Sequence, residues 1–235
     1  MGIIGPTGSG KSTILHLISR AYDATEGIVK LDGINVADLT LDCLHAQLGY
    51  LPQRAFLFAG TIAENVAYGL QGADEEAITR ALRIAQAEDF VNELGGLQTE
   101  VSQGGTNVSG GQRQRLAIAR AVAVPARAFL FDDAFSALDY ATDAALRPAL
   151  LQALARELSG RTQIIVAQRI STIGHADKII VLDQGEIVGM GTHDELLKTC
   201  ATYSDIAASQ LTRDELEGSA HVASRAEQAS EGGDR

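Results

Sequence analysis

No run in the sequence approaches the ~20 uninterrupted apolar residues that a membrane-spanning helix needs. A basic leader is also missing, since Met1-Gly2-Ile3-Ile4 runs straight into glycines. The chain as given is therefore expected to be soluble and to carry no secretory signal. Basic charge is scarce: 19 Lys and Arg stand against 30 Asp and Glu, a net charge of −11. That balance argues against nucleic acid as a main partner, because a phosphate backbone demands basic patches. Cysteine is nearly absent, and Cys43 and Cys200 form no metal-ligand spacing. Two ordinary thiols in a reduced, cytosolic setting are the expectation. Internal repeats are lacking, and low complexity is confined to the end of the chain.

What is present suits one domain, or one domain with a lobe inserted into it, since 235 residues with 46% apolar content allow a sizeable core. Gly2-Ile3-Ile4 reads as the end of a buried strand, followed by a glycine-rich turn and a helix over 12–18. Residues 27–33 read as a strand with a turn at Asp32-Gly33, and residues 48–52 as a strand stopped by Pro52. Between about 60 and 120 the texture turns helical. Residues 73–94 carry a helical pattern capped by Asp74, with Ile78, Leu82 and Ala85 on one face. Strand signals return at 128–131, 163–167 and 178–182, as short apolar runs without alternation that suit a parallel sheet covered on both faces. A helix over 142–158 has the place of a crossover. Beyond about residue 211, Glu, Ala, Ser and Gly dominate without apolar periodicity, which predicts a disordered acidic tail over 212–235.

Two stretches carry chemistry by themselves. Gly5-Pro6-Thr7-Gly8-Ser9-Gly10-Lys11-Ser12 satisfies G-x-x-x-x-G-K-[ST]. Its glycines let consecutive N–H groups turn inward on phosphate oxygens, Lys11 reaches the β- and γ-phosphates, and the Ser12 hydroxyl binds Mg²⁺. The helix that starts there, with Thr13 in its first turn, offers its positive end to the same anion. Phe129-Leu130-Phe131-Asp132-Asp133 then sets two carboxylates at the C-terminal end of a strand, the edge where open α/β sheets bind ligands. Asp132 fits the role of holding Mg²⁺ directly or through water. Either stretch alone also admits a plain reading, as a glycine turn or a solvated Asp-Asp turn.

Asn107-Val108-Ser109-Gly110-Gly111-Gln112-Arg113-Gln114-Arg115 resembles the ABC signature, usually L-S-G-G-Q, with Val108 in place of leucine. Ser109 and Gln112 also form an S-x-x-Q capping box, so an ordinary helix start coexists with the signature reading. The phosphate loop, Gln53 (the Q-loop), this signature, the acidic strand and Ser136-Ala137-Leu138-Asp139 (the D-loop) follow one another as in ABC ATPases, over about residues 1–210. The resemblance implies a P-loop NTPase of the α/β class. It has a RecA-like core of mostly parallel sheet over 1–59 and 121–211 and an inserted helical subdomain over 60–120. Phe56-Leu57-Phe58-Ala59-Gly60-Thr61-Ile62-Ala63-Glu64-Asn65-Val66 and Thr99-Glu100-Val101 are similar to the exporter version of this domain. In that family Gln53 touches Mg²⁺ and the membrane domain's coupling helices. Two such domains dimerise head to tail, so that Ser109, Gly110, Gly111 and Gln112 serve the partner's nucleotide and Asp139 lies at the shared site. The implied ligands are ATP and Mg²⁺, held by residues 5–13 and by Ser12, Gln53 and Asp132. The implied location is the cytoplasmic face of the cell membrane, against a transmembrane domain.

The sequence departs from the family pattern in several places. Asp133 stands where the family has a glutamate that polarises the attacking water, a retreat of ~1.5 Å for a group that must come within about 2.6–3.2 Å. Gln168, in Ala167-Gln168-Arg169, replaces the usual switch histidine; it can hydrogen-bond to a γ-phosphate but cannot carry charge or shuttle a proton. Both changes weaken the same composite site while the signature stays near consensus. That pattern resembles the weak-side chain of a heterodimeric exporter, whose partner supplies Glu and His at the matching positions; the other reading is a slow homodimer. Gln103-Gly104 replaces the usual Glu-Arg of the exporter X-loop. Only Met1 to Ile4 precede Gly5, where the family has further strands and an aromatic residue that stacks on adenine, so the expectation is an N-terminally truncated domain. Competing functions are a regulatory nucleotide-binding module, a soluble ABC ATPase acting on DNA or ribosomes, and a non-functional fragment.

Overall fold

The computed structural model describes residues 1–70, 72, 74–134 and 146–210. The D-loop with Asp139, the first residues of the expected 142–158 helix and the 212–235 tail lie outside the described residues. The chain opens with β1 (Gly2–Ile4), α1 (Lys11–Ile18), a hairpin of β2 (Lys30–Leu31) and β3 (Ile34–Asn35), α2 (Leu41–His45) and β4 (Leu48–Leu51). A mainly helical stretch follows: β5 (Gly60–Thr61), α3 (Ile62–Ala67), α4 (Glu75–Ile84), α5 (Glu88–Glu93), β6 (Glu100–Val101) and α6 (Gly110–Ala123). Strands and helices then alternate through β7 (Ala128–Asp132), α7 (Leu146–Glu157), β8 (Thr162–Val166), α8 (Ile170–Ile173), β9 (Ile179–Asp183), β10 (Glu186–Gly191), α9 (His193–Thr199) and α10 (Ala201–Gln210).

The central sheet has six strands in the order β10-β9-β1-β8-β7-β4. All neighbours are parallel except β9 and β10. The unbroken apolar runs follow from cover on both faces. Ile3, Leu130 and Ile164 pack on Leu15 of α1, on Val36 just after β3, and on Leu44 of α2. The alternate residues Phe129, Phe131 and Leu51 meet the helical stretch, including Ile62, Leu82 and Leu116. A third cluster joins Ile4, Ile179 and Val181 to α8, α9 and α10 through Ile170, Leu196 and Tyr203.

One segment differs from the sequence pattern. Residues 73–94 read as a continuous helical pattern, yet the helix breaks between α4 and α5, with Gln86 at a φ of 54°. No Gly or Pro marks the break. It is held by tertiary partners instead: Ala85 and Ala87 are fully buried, and Arg115 Nη1 donates to the Gln86 carbonyl at 3.1 Å. The expected cap is present, since Asp74 Oδ1 accepts from Ala77 N at 2.8 Å. Strand β10 had no sequence signal, because its Ile187, Val188 and Met190 are exposed and glycines interrupt it.

Tyr203 anchors α10: its ring is fully buried and its hydroxyl lies 2.8 Å from His193 Nδ1. Burial, reinforced by Asp194, pushes its pKa up from 10.0 to about 12. The folded value exceeds the unfolded one, so this group's contribution is complete below pH 10 and is lost as pH rises through about 12. Tyr203→Phe should therefore flatten the fall of Tm with pH across that window. An equally steep alkaline limb in the variant would show that Tyr203 is not its source.

Candidate nucleotide site

Parallel pairing decides where the chemistry collects. The carboxyl ends of β1, β4, β7 and β8 lie on one edge of the sheet, and they lead into residues 5–12, Pro52-Gln53, Asp132-Asp133 and Ala167-Gln168. Segments remote in sequence thus meet around the start of α1.

The loop over residues 5–12 needs its glycines for definite reasons. A Cβ at Gly5 would lie 2.0 Å from the Leu182 carbonyl oxygen, so only glycine lets the loop leave β1 beside β9. Gly10 is the N-cap of α1 at φ 95°, and α1 starts without a side-chain cap. Its first amides are thus left for an external acceptor. A Cβ at Gly8 or Gly10 would meet nothing within 4 Å, so the loop is open on that side. Ser9 is buried, and its Oγ has no hydrogen-bond partner among the described residues. Lys11 Nζ folds back on the carbonyls of Gly5 at 2.9 Å and Pro6 at 2.7 Å. Burial lowers the Lys11 pKa from its ordinary value, while Asp133 and then Asp132 pull it back up. An uncapped helix start, an orphaned hydroxyl and a half-desolvated ammonium together fit a polyphosphate.

Ser12 Oγ donates to Asp132 Oδ1 at 2.8 Å, bringing together two oxygens 120 residues apart in the sequence. A hydroxyl and a carboxylate side by side fit the hard-oxygen donor set of Mg²⁺. Asp132 is buried and ends β7 beside Val166 of β8.

Asp133 is buried too, and its backbone adopts the left-handed region at φ 47°. Its N–H donates to the Val166 carbonyl at 3.0 Å, which fixes the residue as the strand turns away. Two amides address its carboxylate: Gln168 Nε2 donates to Oδ2 at 2.6 Å and Gln53 Nε2 at 3.4 Å. Behind it, the buried Gln114 Nε2 donates to the Ala134 carbonyl at 2.6 Å and ties α6 to the same turn. Gln114 stands within the signature-like stretch, and no local pattern distinguishes a buried glutamine that bonds a carbonyl across the core.

Ser109 and Gln112 close their capping box reciprocally, at 3.2 and 2.9 Å, and leave Ser109, Gly110 and the start of α6 facing solvent. No hydrogen bond among the described residues links this helix start to residues 5–13 of the same chain. On the exporter-like segment, Phe58 stacks on Tyr68 at 4.6 Å, Phe56 meets Phe58 edge-on at 5.5 Å, and the Arg120 guanidinium lies 5.1 Å from the Phe58 ring centre. All three aromatic side chains are exposed. Gln103 Oε1 accepts from Ala59 N at 3.0 Å, so the short turn holding Gln103-Gly104 braces this segment.

Comparison with known proteins agrees with this arrangement. The family model described as ABC transporter matches residues 1–136. An uncharacterised ABC transporter ATP-binding protein of Mycobacterium tuberculosis is 51% identical over 214 residues, covering 88% of this chain and 35% of its own length. An ATP-dependent lipid A-core flippase of Albidiferax ferrireducens is 43% identical, with 89% of this chain and 36% of that protein aligned. A bacterial Atm1-family ABC exporter solved with ATP bound superposes with a TM-score of 0.84 at 41% identity, over 88% of this chain and 36% of the other. The chain thus spans about a third of the length of these relatives. No helix among the described residues is long and apolar enough to cross a membrane. The motif order, the sheet edge on which those motifs meet and these likenesses agree: the chain belongs to the ABC transporter family.

Proposed function

We propose that this chain is the Mg-ATP-binding, weakly hydrolysing domain of an ABC exporter, working as the degenerate half of a pair. The observation that carries the reading is Asp133, a short carboxylate held by two neutral amides where a longer carboxylate and an imidazole would serve catalysis better. Residues 5–13 bind the phosphates, with Lys11 turning from its two carbonyls toward the β- and γ-phosphates. Ser12, Asp132 and Gln53 would hold Mg²⁺, which would supply positive charge to the site when bound. Asp133 orients the attacking water and accepts its proton. Gln168 donates a hydrogen bond to Asp133 and so keeps it in place, but being neutral it neither strengthens the field at the γ-phosphate nor relays the proton.

The second half of the working unit is another ABC nucleotide-binding domain, a different chain with Glu and His at the matching positions. The start of α6, with Ser109 and Gly110 exposed and Gly111 and Gln112 half-buried, would close over that chain's nucleotide, completing the stronger site. Phe56, Phe58 and Tyr68 present an exposed aromatic face for the transmembrane domain, stiffened by Arg120. In this reading the domain works at the cytoplasmic face of the membrane, against that transmembrane domain. Nucleic acid has no part in this reading, which agrees with the net charge of −11.

Thermal unfolding with added nucleotide tests the binding step. Mg-ATP should raise the Tm of the assembled protein, and Ser12→Ala should reduce the magnesium-dependent part of the affinity by about tenfold, the loss of one charge-assisted contact. A wild-type Tm indifferent to saturating Mg-ATP would remove the reading altogether.

A further inference from the structure

The turn that carries Gln168 is held from outside by a residue that neither the motifs nor the site chemistry involves. Gln210, the last residue of α10, reaches over 168–170 with both ends of its amide. Its Nε2 donates to the Gln168 carbonyl at 2.6 Å, and its Oε1 accepts from Ile170 N at 2.9 Å. Ile170 begins α8, whose N-cap residue Arg169 makes no side-chain cap bond. Gln210 therefore provides the cap that the local sequence does not. The other side of the turn is pinned by the sheet, where Ala167 N donates to the Ile3 carbonyl at 3.0 Å. Between these two anchors, the backbone of Gln168 has little freedom left, and its side chain meets Asp133 at 2.6 Å. The far end of α10 is itself fixed by buried Tyr203 and Ala207 and by Ser204 Oγ donating to the Leu197 carbonyl at 2.7 Å.

We propose that Gln210 is a positioning residue for ATP hydrolysis: by clamping the 168–170 turn it holds the Gln168 amide against Asp133, and so couples the seating of α10 to the rate of the chemical step. The inference rests on the functional reading above. Gln210 touches neither nucleotide nor the reacting atoms; it acts through Gln168. A small displacement of an orienting group is costly in rate and cheap in binding, so the effect belongs in kcat rather than KM.

The test uses the assembled protein with its partner and membrane domains, with the phosphate-loop lysine of the partner domain replaced by alanine so that turnover reports this chain's own site. The variants are Gln210→Ala and Gln210→Met, each made alone and combined with Gln168→Ala. Turnover is followed together with hydrogen exchange at the Ile170 amide. Gln210→Ala should lower kcat about fivefold to tenfold with KM for Mg-ATP changed less than about twofold, and the Ile170 amide should exchange about tenfold faster. Gln210→Met keeps the length but not the amide, so it should behave like Gln210→Ala. In the Gln168→Ala background neither change should lower kcat further, because the group being positioned is gone. Wild-type kcat in Gln210→Met, or an undiminished effect without the Gln168 side chain, would overturn the proposal. If the wild type itself hydrolyses no ATP, the functional reading fails, and the clamp is then decided by exchange: unchanged protection at Ile170 in Gln210→Ala refutes it.

Discussion

Lys11→Ala should weaken Mg-ATP binding by on the order of 100- to 1,000-fold, while the Tm of the nucleotide-free protein changes little. The two halves of this result come from one geometry. Lys11 bonds the Gly5 and Pro6 carbonyls, and burial makes its charged form harder to keep. Removing it forfeits those bonds but also relieves the desolvated charge, so the two effects largely offset. With nucleotide, the same ammonium faces phosphate, where each charge-assisted bond contributes about 1.5–3 kcal/mol, or roughly tenfold to a hundredfold in affinity. Calorimetric titration of both proteins measures the first half and a thermal scan the second. Comparable affinities for wild type and variant would mean that the loop does not grip phosphate through Lys11.

Asp133→Glu together with Gln168→His should raise ATP turnover at this chain's own site by about tenfold to a hundredfold, the range expected when a misplaced base is brought into reach. The glutamate restores the missing methylene; the histidine restores a group able to carry charge and relay a proton. The gain has an expected structural cost. Asp133 occupies the left-handed region at φ 47°, which aspartate tolerates better than glutamate because its short polar side chain bonds locally. The double variant should accordingly melt lower than wild type even as it turns over faster. Each single change should fall short of the pair, since both side chains act on the same carboxylate position. If the unmutated protein already turns over rapidly at this site, the substitutions are tolerated variation and the weak-half reading is wrong.

Much of this was legible in the sequence, and the reasons are specific. The phosphate loop is visible because its backbone geometry can be met only by glycine at several spaced positions, and Gly5 beside the Leu182 carbonyl is an instance. The strands of the parallel sheet show as short apolar runs because both faces are covered, as Phe129 and Leu130, packed on opposite sides, illustrate. The capping boxes are local, so Ser109 and Gln112 announce themselves three residues apart. What stayed hidden depends on contacts that no local pattern encodes. The break at Gln86 is satisfied by Arg115, and Gln210 meets its partners some 40 residues back along the chain. The two amides on Asp133 were each singled out by family resemblance, but that they converge on one carboxylate oxygen follows only from the strand order.

That strand order also bears on how the molecule assembles during synthesis. β1, which leads into the loop over residues 5–12, pairs with β8 and β9 and, among the described residues, with no strand nearer in sequence. Translation therefore delivers the loop long before the strands that seat it, and closing so long a stretch of chain is entropically late work. Until β8 slots between β1 and β7, Ser12 cannot meet Asp132 and Gln168 cannot meet Asp133. A nascent chain stalled before residue 160 should thus be blind to nucleotide, and the first appearance of ATP binding on the ribosome would time the moment at which the sheet is threaded.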